Sequence, residues 1–68
     1  MEKLQITLEA ARVNAGLLQK DVCKHLGISL ATLVNWENYR TSPTADKAQE
    51  LARLYGLDLG NILFCKES

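Results

Sequence analysis

An all-α fold of five short helices follows from three observations on this chain of 68 residues. Gly16, Gly27, Gly56 and Gly60 cut it into helix-length pieces, the punctuation expected at helix C-termini. Apolar residues inside the pieces recur at three- and four-residue spacing. Thr7, Ser29, Thr44 and Asp58 stand at the heads of pieces, where a side-chain oxygen can accept a free backbone N–H. No segment carries the alternation of a strand.

The first helix is expected over about residues 8–15, capped by Thr7, with Glu9 favourable to the dipole in its first turn. Leu8, Ala11, Arg12 and Ala15 share one face. The second helix spans about residues 19–26, with Val22, Cys23 and Leu26 inward and Lys20, Asp21 and Lys24 outward. The third spans about residues 30–38 behind Ser29, with Leu33 and Trp36 inward. "YRTSPT" is a loop, and Thr44 opens a fourth helix over about residues 45–55, with Ala48, Leu51, Ala52 and Tyr55 inward. Asp58 caps a short fifth helix over about residues 59–64. Residues 1–68 read as one domain, without repeats, low-complexity stretches or linkers.

Composition narrows the classes of function. With 47% hydrophobic and 24% charged residues, the chain has the balance of a folded globular domain rather than a disordered one. No apolar run approaches the roughly 20 residues of a membrane helix. "MEKLQITLEAARV" lacks the apolar core of a signal peptide, so a cytoplasmic location is expected. Cys23, Cys65 and His25 do not form a ligand set with metal spacing, so no metal and no cofactor is expected. With one histidine, no nucleophile–base pattern and no Gly-rich phosphate loop, an enzyme is not expected. Net charge is zero, which is low for a nucleic-acid binder. Position matters more than the sum: if Glu37 is neutralised internally, the stretch carrying Lys20, Lys24 and Arg40 is locally positive.

The second and third helices are joined only by Gly27, Ile28 and Ser29. Three residues opening on glycine force a steep crossing, the helix-turn-helix geometry. Gly27 is expected at positive φ, Ile28 under the turn, and Cys23 small because the third helix passes close by. The front of the third helix then stands free to enter a major groove about 12 Å wide. Leu30, Ala31, Val34 and Asn35 face outward, with Thr32 beside them.

"ITLEAARVNAGLLQKDVCKHLGISLATLVNWENYRTSP" resembles the phage-repressor type of helix-turn-helix domain, the Cro/CI or XRE family. The resemblance rests on Gly16, Leu17 and Gln19, on Leu-Gly-Ile-Ser at 26–29, on Trp-Glu-Asn at 36–38 and on Pro43; "LARLYGLDLGNILF" resembles the family's closing segment. It implies a lambda-repressor-like fold, double-stranded DNA as partner and dimers on paired half-sites. It also implies an internal salt bridge between Arg12 and Glu37, which suits an arginine on an otherwise apolar face. The alternative is a surface arginine. Gln19 matches a phosphate contact, or is an ordinary first-turn residue. Asn38, Arg40 and Thr41 match backbone-contacting positions.

Three departures stand out. Leu18 replaces the usual Ser or Thr cap, a deficit of about 1 kcal/mol. Tyr39 stands where the family commonly has glycine; exposed, it could reach a phosphate through its hydroxyl. The base-reading positions carry Leu30, Ala31 and Asn35. The first two suit thymine methyl groups and Asn35 suits adenine, while Ser29 and Thr32 suit a phosphate or a base. Phe64 either contacts a second copy or folds back over the first helix. The reading is a sequence-specific transcriptional regulator of phage or mobile-element repressor type. The alternative is a protein-interaction module or antitoxin on the same fold, whose partner would use the apolar face of the third helix.

Overall fold

Side-chain caps set the helix starts. In the structure, a computed structural model that describes residues 4–65, Thr7 Oγ1 accepts the Ala10 N–H at 3.1 Å and opens α1 (Leu8–Asn14). Ser29 Oγ accepts the Thr32 N–H at 3.2 Å and opens α3 (Leu30–Glu37). Thr44 Oγ1 accepts the Lys47 N–H at 3.3 Å and opens α4 (Ala45–Tyr55). α2 (Gln19–Leu26) begins at Leu18, which has no side-chain acceptor; in partial compensation Asp21 Oδ2 accepts the Leu18 N–H at 2.9 Å. α1 stops one residue short of expectation, and Ala15 is exposed rather than inward.

Leu8, Ala11, Val22, Leu26, Leu33, Trp36, Leu51, Ala52, Tyr55 and Ile62 form the core. Each helix thus contributes its apolar stripe to a shared interior. Phe64 is half-buried and packs against this cluster.

Two corrections concern the chain ends. The expected fifth helix is a single 3-10 turn, Leu59–Asn61, followed by extended chain. A strand pair, absent from the sequence reading, joins β1 (Ile6–Thr7) to β2 (Ile62–Leu63) in parallel, with Ile6 opposite Ile62 and Thr7 opposite Leu63. β-branched Ile6, Thr7 and Ile62 favour extended backbone over helix. Two residues per strand are too few to display a period of two.

Tyr39 closes the same region. Its backbone is left-handed, φ +60°, a conformation that favours glycine. For a tyrosine this costs roughly 1–2 kcal/mol. The hydroxyl offsets the strain: it donates to the Leu63 carbonyl at 2.7 Å and accepts the Leu8 N–H at 3.2 Å. One side chain thereby ties the end of α3 to the start of α1 and to β2.

Two predictions follow from this packing. Tyr39→Phe leaves the Leu63 carbonyl and Leu8 N–H without this partner, a loss of about 1–3 kcal/mol. In a domain of this size that lowers the melting temperature by roughly 5–20 °C; an unchanged melting curve would remove the clasp from the account. The second concerns Tyr55, which is 7% exposed and whose hydroxyl has no hydrogen-bond partner among the described residues. Burial first, then the negative charge of Glu37, pushes its phenol from the ordinary 10.0 up to about 12. An unfolded tyrosine therefore releases its proton first as pH rises. The stabilising difference is intact below pH 10 and is lost between about pH 10 and 12, to a limit of about 2–3 kcal/mol. Tyr55→Phe lacks this titration, so its urea midpoint declines less than that of the parent across the window. Parallel declines would assign the alkaline loss to other groups.

Candidate nucleic-acid interface

The α2–turn–α3 unit is built around Gly27. Its φ of +68° is left-handed, and its N–H and that of Ile28 both donate to the Cys23 carbonyl, at 2.8 and 3.1 Å. Both bonds satisfy the C-terminus of α2 while the chain reverses. No atom lies within 4 Å of the place a Cβ would take, so the constraint at Gly27 is conformational rather than steric. Ile28 is half-buried beneath the turn, and half-buried Cys23 packs against the core, where burial pushes its thiol pKa up. Lys47 reaches across from α4 and donates to the Leu26 carbonyl at 3.0 Å. The sequence does not point to that cap on the end of α2; a lysine in a helical first turn carries no local signal for it.

α3 buries Leu33, Trp36 and Glu37 and turns its front outward. Leu30 is 54% exposed, Ala31 is exposed, and Thr32, Val34 and Asn35 are half-buried. Asn38, Arg40 and Thr41 are exposed just beyond its end. The Arg40 N–H donates to the Asn35 carbonyl at 2.9 Å, which holds that loop against the helix. Ser29 and Thr32 are coupled, Oγ to Oγ1 at 2.9 Å. Tyr39 differs from the sequence expectation: it is half-buried and its hydroxyl is held by Leu63 and Leu8, so it is not an exposed phosphate ligand.

Behind this surface lies a buried charge cluster. Arg12 Nε donates to Glu37 Oε2 at 2.7 Å and Nη2 approaches Oε1 at 3.5 Å. Arg12 Nη1 donates to the Leu17 carbonyl at 2.9 Å. Gln19 Nε2 donates to Glu37 Oε1 at 2.9 Å. The two ions are 8% and 9% exposed. The hydrogen bond to Glu37 raises the guanidinium pKa above its ordinary value, against the opposing effect of burial. Gln19 therefore turns one amide hydrogen inward, a use the sequence did not suggest; an amide carries two, so the other can still be offered outward.

With Glu37 matched by Arg12, the remaining charged groups from residue 19 to 44 are Lys20, Lys24 and Arg40 against Asp21, two net positive charges. The cations are all exposed. α3 has no acidic residue in its first turn, so its N-terminal dipole is not offset there. Among the described residues no three metal-ligating side chains gather, and no helix is long and apolar enough to cross a membrane. The exposed front of α3 is partly apolar, while the exposed cations of this segment stand on α2, at Lys20 and Lys24, and just beyond α3, at Arg40.

The charge cluster yields a prediction. Glu37→Ala strands a buried guanidinium and costs about 3–5 kcal/mol, most of the stability of a domain this small. Replacing both partners by apolar residues, Arg12→Met with Glu37→Leu, recovers much of it, because no charge is then left unpaired. Urea unfolding measures both. A Glu37→Ala midpoint equal to that of the parent would mean that the pair contributes nothing.

A family model described as "Helix-turn-helix" matches residues 8–62, from the first residue of α1 to the first of β2. No curated protein and no solved structure matches the chain. The matched segment contains all four α-helices, the Gly27 turn and the Arg12–Glu37 pair, and it spans most of the sequence. The chain belongs to the helix-turn-helix family of Cro/CI (XRE) type, a family of DNA-binding transcription regulators.

Proposed function

We propose that this chain is a sequence-specific repressor of phage or mobile-element type that inserts α3 into the major groove. The observation that carries the reading is the pairing of an exposed α3 front with removal of the Glu37 charge from behind it. Asn35 is the side chain on that front able to bond adenine in bidentate fashion. Arg40, Thr41, Asn38 and the N-terminus of α2 with Gln19 take backbone phosphates, which set register rather than sequence. Ser29 caps α3, the Thr32 hydroxyl is bonded to it, and both keep acceptor capacity for a backbone contact. Tyr39 is left out of this set, because its hydroxyl serves the fold.

One such module covers few base pairs, so the operator-bound form is a homodimer on half-sites about 34 Å apart. Phe64 lies near the chain end, and its half-buried ring leaves part of its surface for that contact. The protein is proposed to work in the cytoplasm, and neither an enzymatic step nor a cofactor enters the mechanism. A second reading, a protein-interaction module or antitoxin, draws on the exposed Leu30 beside Val34 and on the zero net charge.

Fluorescence anisotropy of a labelled duplex at about 50 and 200 mM salt separates the two readings. A regulator binds at the lower salt and weakens steeply at the higher; a protein adaptor shows no binding at either. Once a bound sequence is in hand, Asn35→Ala costs about 1–3 kcal/mol at one base position and relaxes preference there. Arg40→Ala weakens all sequences alike and lowers the salt slope by about one. Full retention of base preference in Asn35→Ala would displace α3 from the groove.

A further inference from the structure

We infer that α3 recognises the C5-methyl groups of thymines through Leu30 and Ala31, so that specificity depends on methyl contact as well as on hydrogen bonds. The inference rests on the DNA-binding reading above and names the chemistry that this helix reads. At the front of α3, where a groove-entering helix meets base edges, the first two residues are apolar and exposed, Leu30 at 54%. Val34 continues the apolar strip one turn on from Leu30. The nearest hydroxyls are already coupled: Ser29 Oγ accepts the Thr32 N–H at 3.2 Å and lies 2.9 Å from Thr32 Oγ1. The groove edge opposite Leu30 and Ala31 thus meets carbon.

Two effects then act in the same direction. A thymine methyl placed against Leu30 leaves water together with the leucine, and both gain. A cytosine or adenine amino group at that place loses water with no acceptor in return. In the major groove the C5-methyl is the apolar feature that distinguishes thymine from the other three natural bases. The amide of Asn35 on the same helix, with Asn38 and the exposed Arg40 at its end and two net positive charges over residues 19–44, makes a nucleic acid, rather than an apolar protein face, the occupant that matches this strip.

Deoxyuridine tests the inference, because it keeps every thymine hydrogen bond and lacks only the methyl. Sequences bound by the protein are first selected from a random duplex pool at about 50 mM salt. Each selected duplex is then made again with deoxyuridine for thymidine, one position at a time. The expected result is a loss of about fourfold per methyl at one or two positions in each half-site. Leu30→Ala, at an exposed helix start, keeps the melting temperature and binds thymidine and deoxyuridine duplexes almost equally. Equal binding of both duplexes by the parent overturns the methyl contact and leaves DNA binding intact. An undiminished deoxyuridine effect in Leu30→Ala also overturns it, because the methyl would then act through DNA shape. A preference appearing only with 5-methylcytosine, the other carrier of this methyl, overturns the assignment to thymine. Failure to select any sequence removes the DNA-binding reading and this inference together.

Discussion

The contact between Arg12 and Glu37 is the one on which the other parts of the molecule depend. Arg12 comes from α1, Glu37 ends α3, and Gln19 from the start of α2 bonds the same carboxylate. A single buried anion therefore ties α1, α2 and α3 to one another. Desolvating it is costly, and the cost is recovered only when every partner is in place. That makes the cluster a device for geometry more than for net stability. It also has an electrostatic result, since the carboxylate at the end of α3 is matched internally and presents no unpaired negative charge there.

The second organising contact is a substitution that resemblance alone would misread. A tyrosine where the resemblance leads one to expect glycine suggests an exposed aromatic ring. The positive φ is kept, and the ring instead reaches back to the chain ends. The hydroxyl sits between the first amide of α1 and the carbonyl of Leu63, beside the β1–β2 pair. The strained residue and the short parallel ladder support one another: the ladder brings Leu8 and Leu63 within reach of one oxygen, and the oxygen holds them there.

Much of this was legible in the sequence, and the misses have physical causes. Cap residues and glycines located the four helices because their rules are local: Thr7, Ser29 and Thr44 each bond an amide three residues on. Apolar spacing located the core because helical period is also local. What escaped was non-local. The Ile6–Ile62 pairing joins residues that share no pattern, and Leu59–Asn61 lacks the length that separates a helix from a turn. Tyr39 and Gln19 are polar side chains whose outward or inward choice is decided by partners far along the chain. The front of α3 was legible because exposure at a capped helix start is set by the turn itself. What that front binds is a matter of chemistry, and two aliphatic residues define it less sharply than arginine or glutamine would.

Neutral net charge and an apolar reading helix belong to the same design. Long-range attraction is weak when charges sum to zero, so association relies on local cations near the groove. Charges are screened beyond about 10 Å at 0.1 M salt, and there the local balance around α3 counts for more than the total. Glu50 is matched by Lys47 at 3.3 Å, which mutes one of the acids on α4. On the DNA-binding reading, phosphate contacts supply the non-specific binding, and that part falls steeply as salt rises. The proposed methyl contact loses little as salt rises, because that gain is not ionic. Specific and non-specific binding therefore separate as ionic strength increases. A small neutral module can discriminate its site in this way without the strong general affinity that would spread it over bulk DNA. In the proposed dimer, where each module contributes little charge, pairing two of them on one site supplies the affinity that a basic surface would otherwise give.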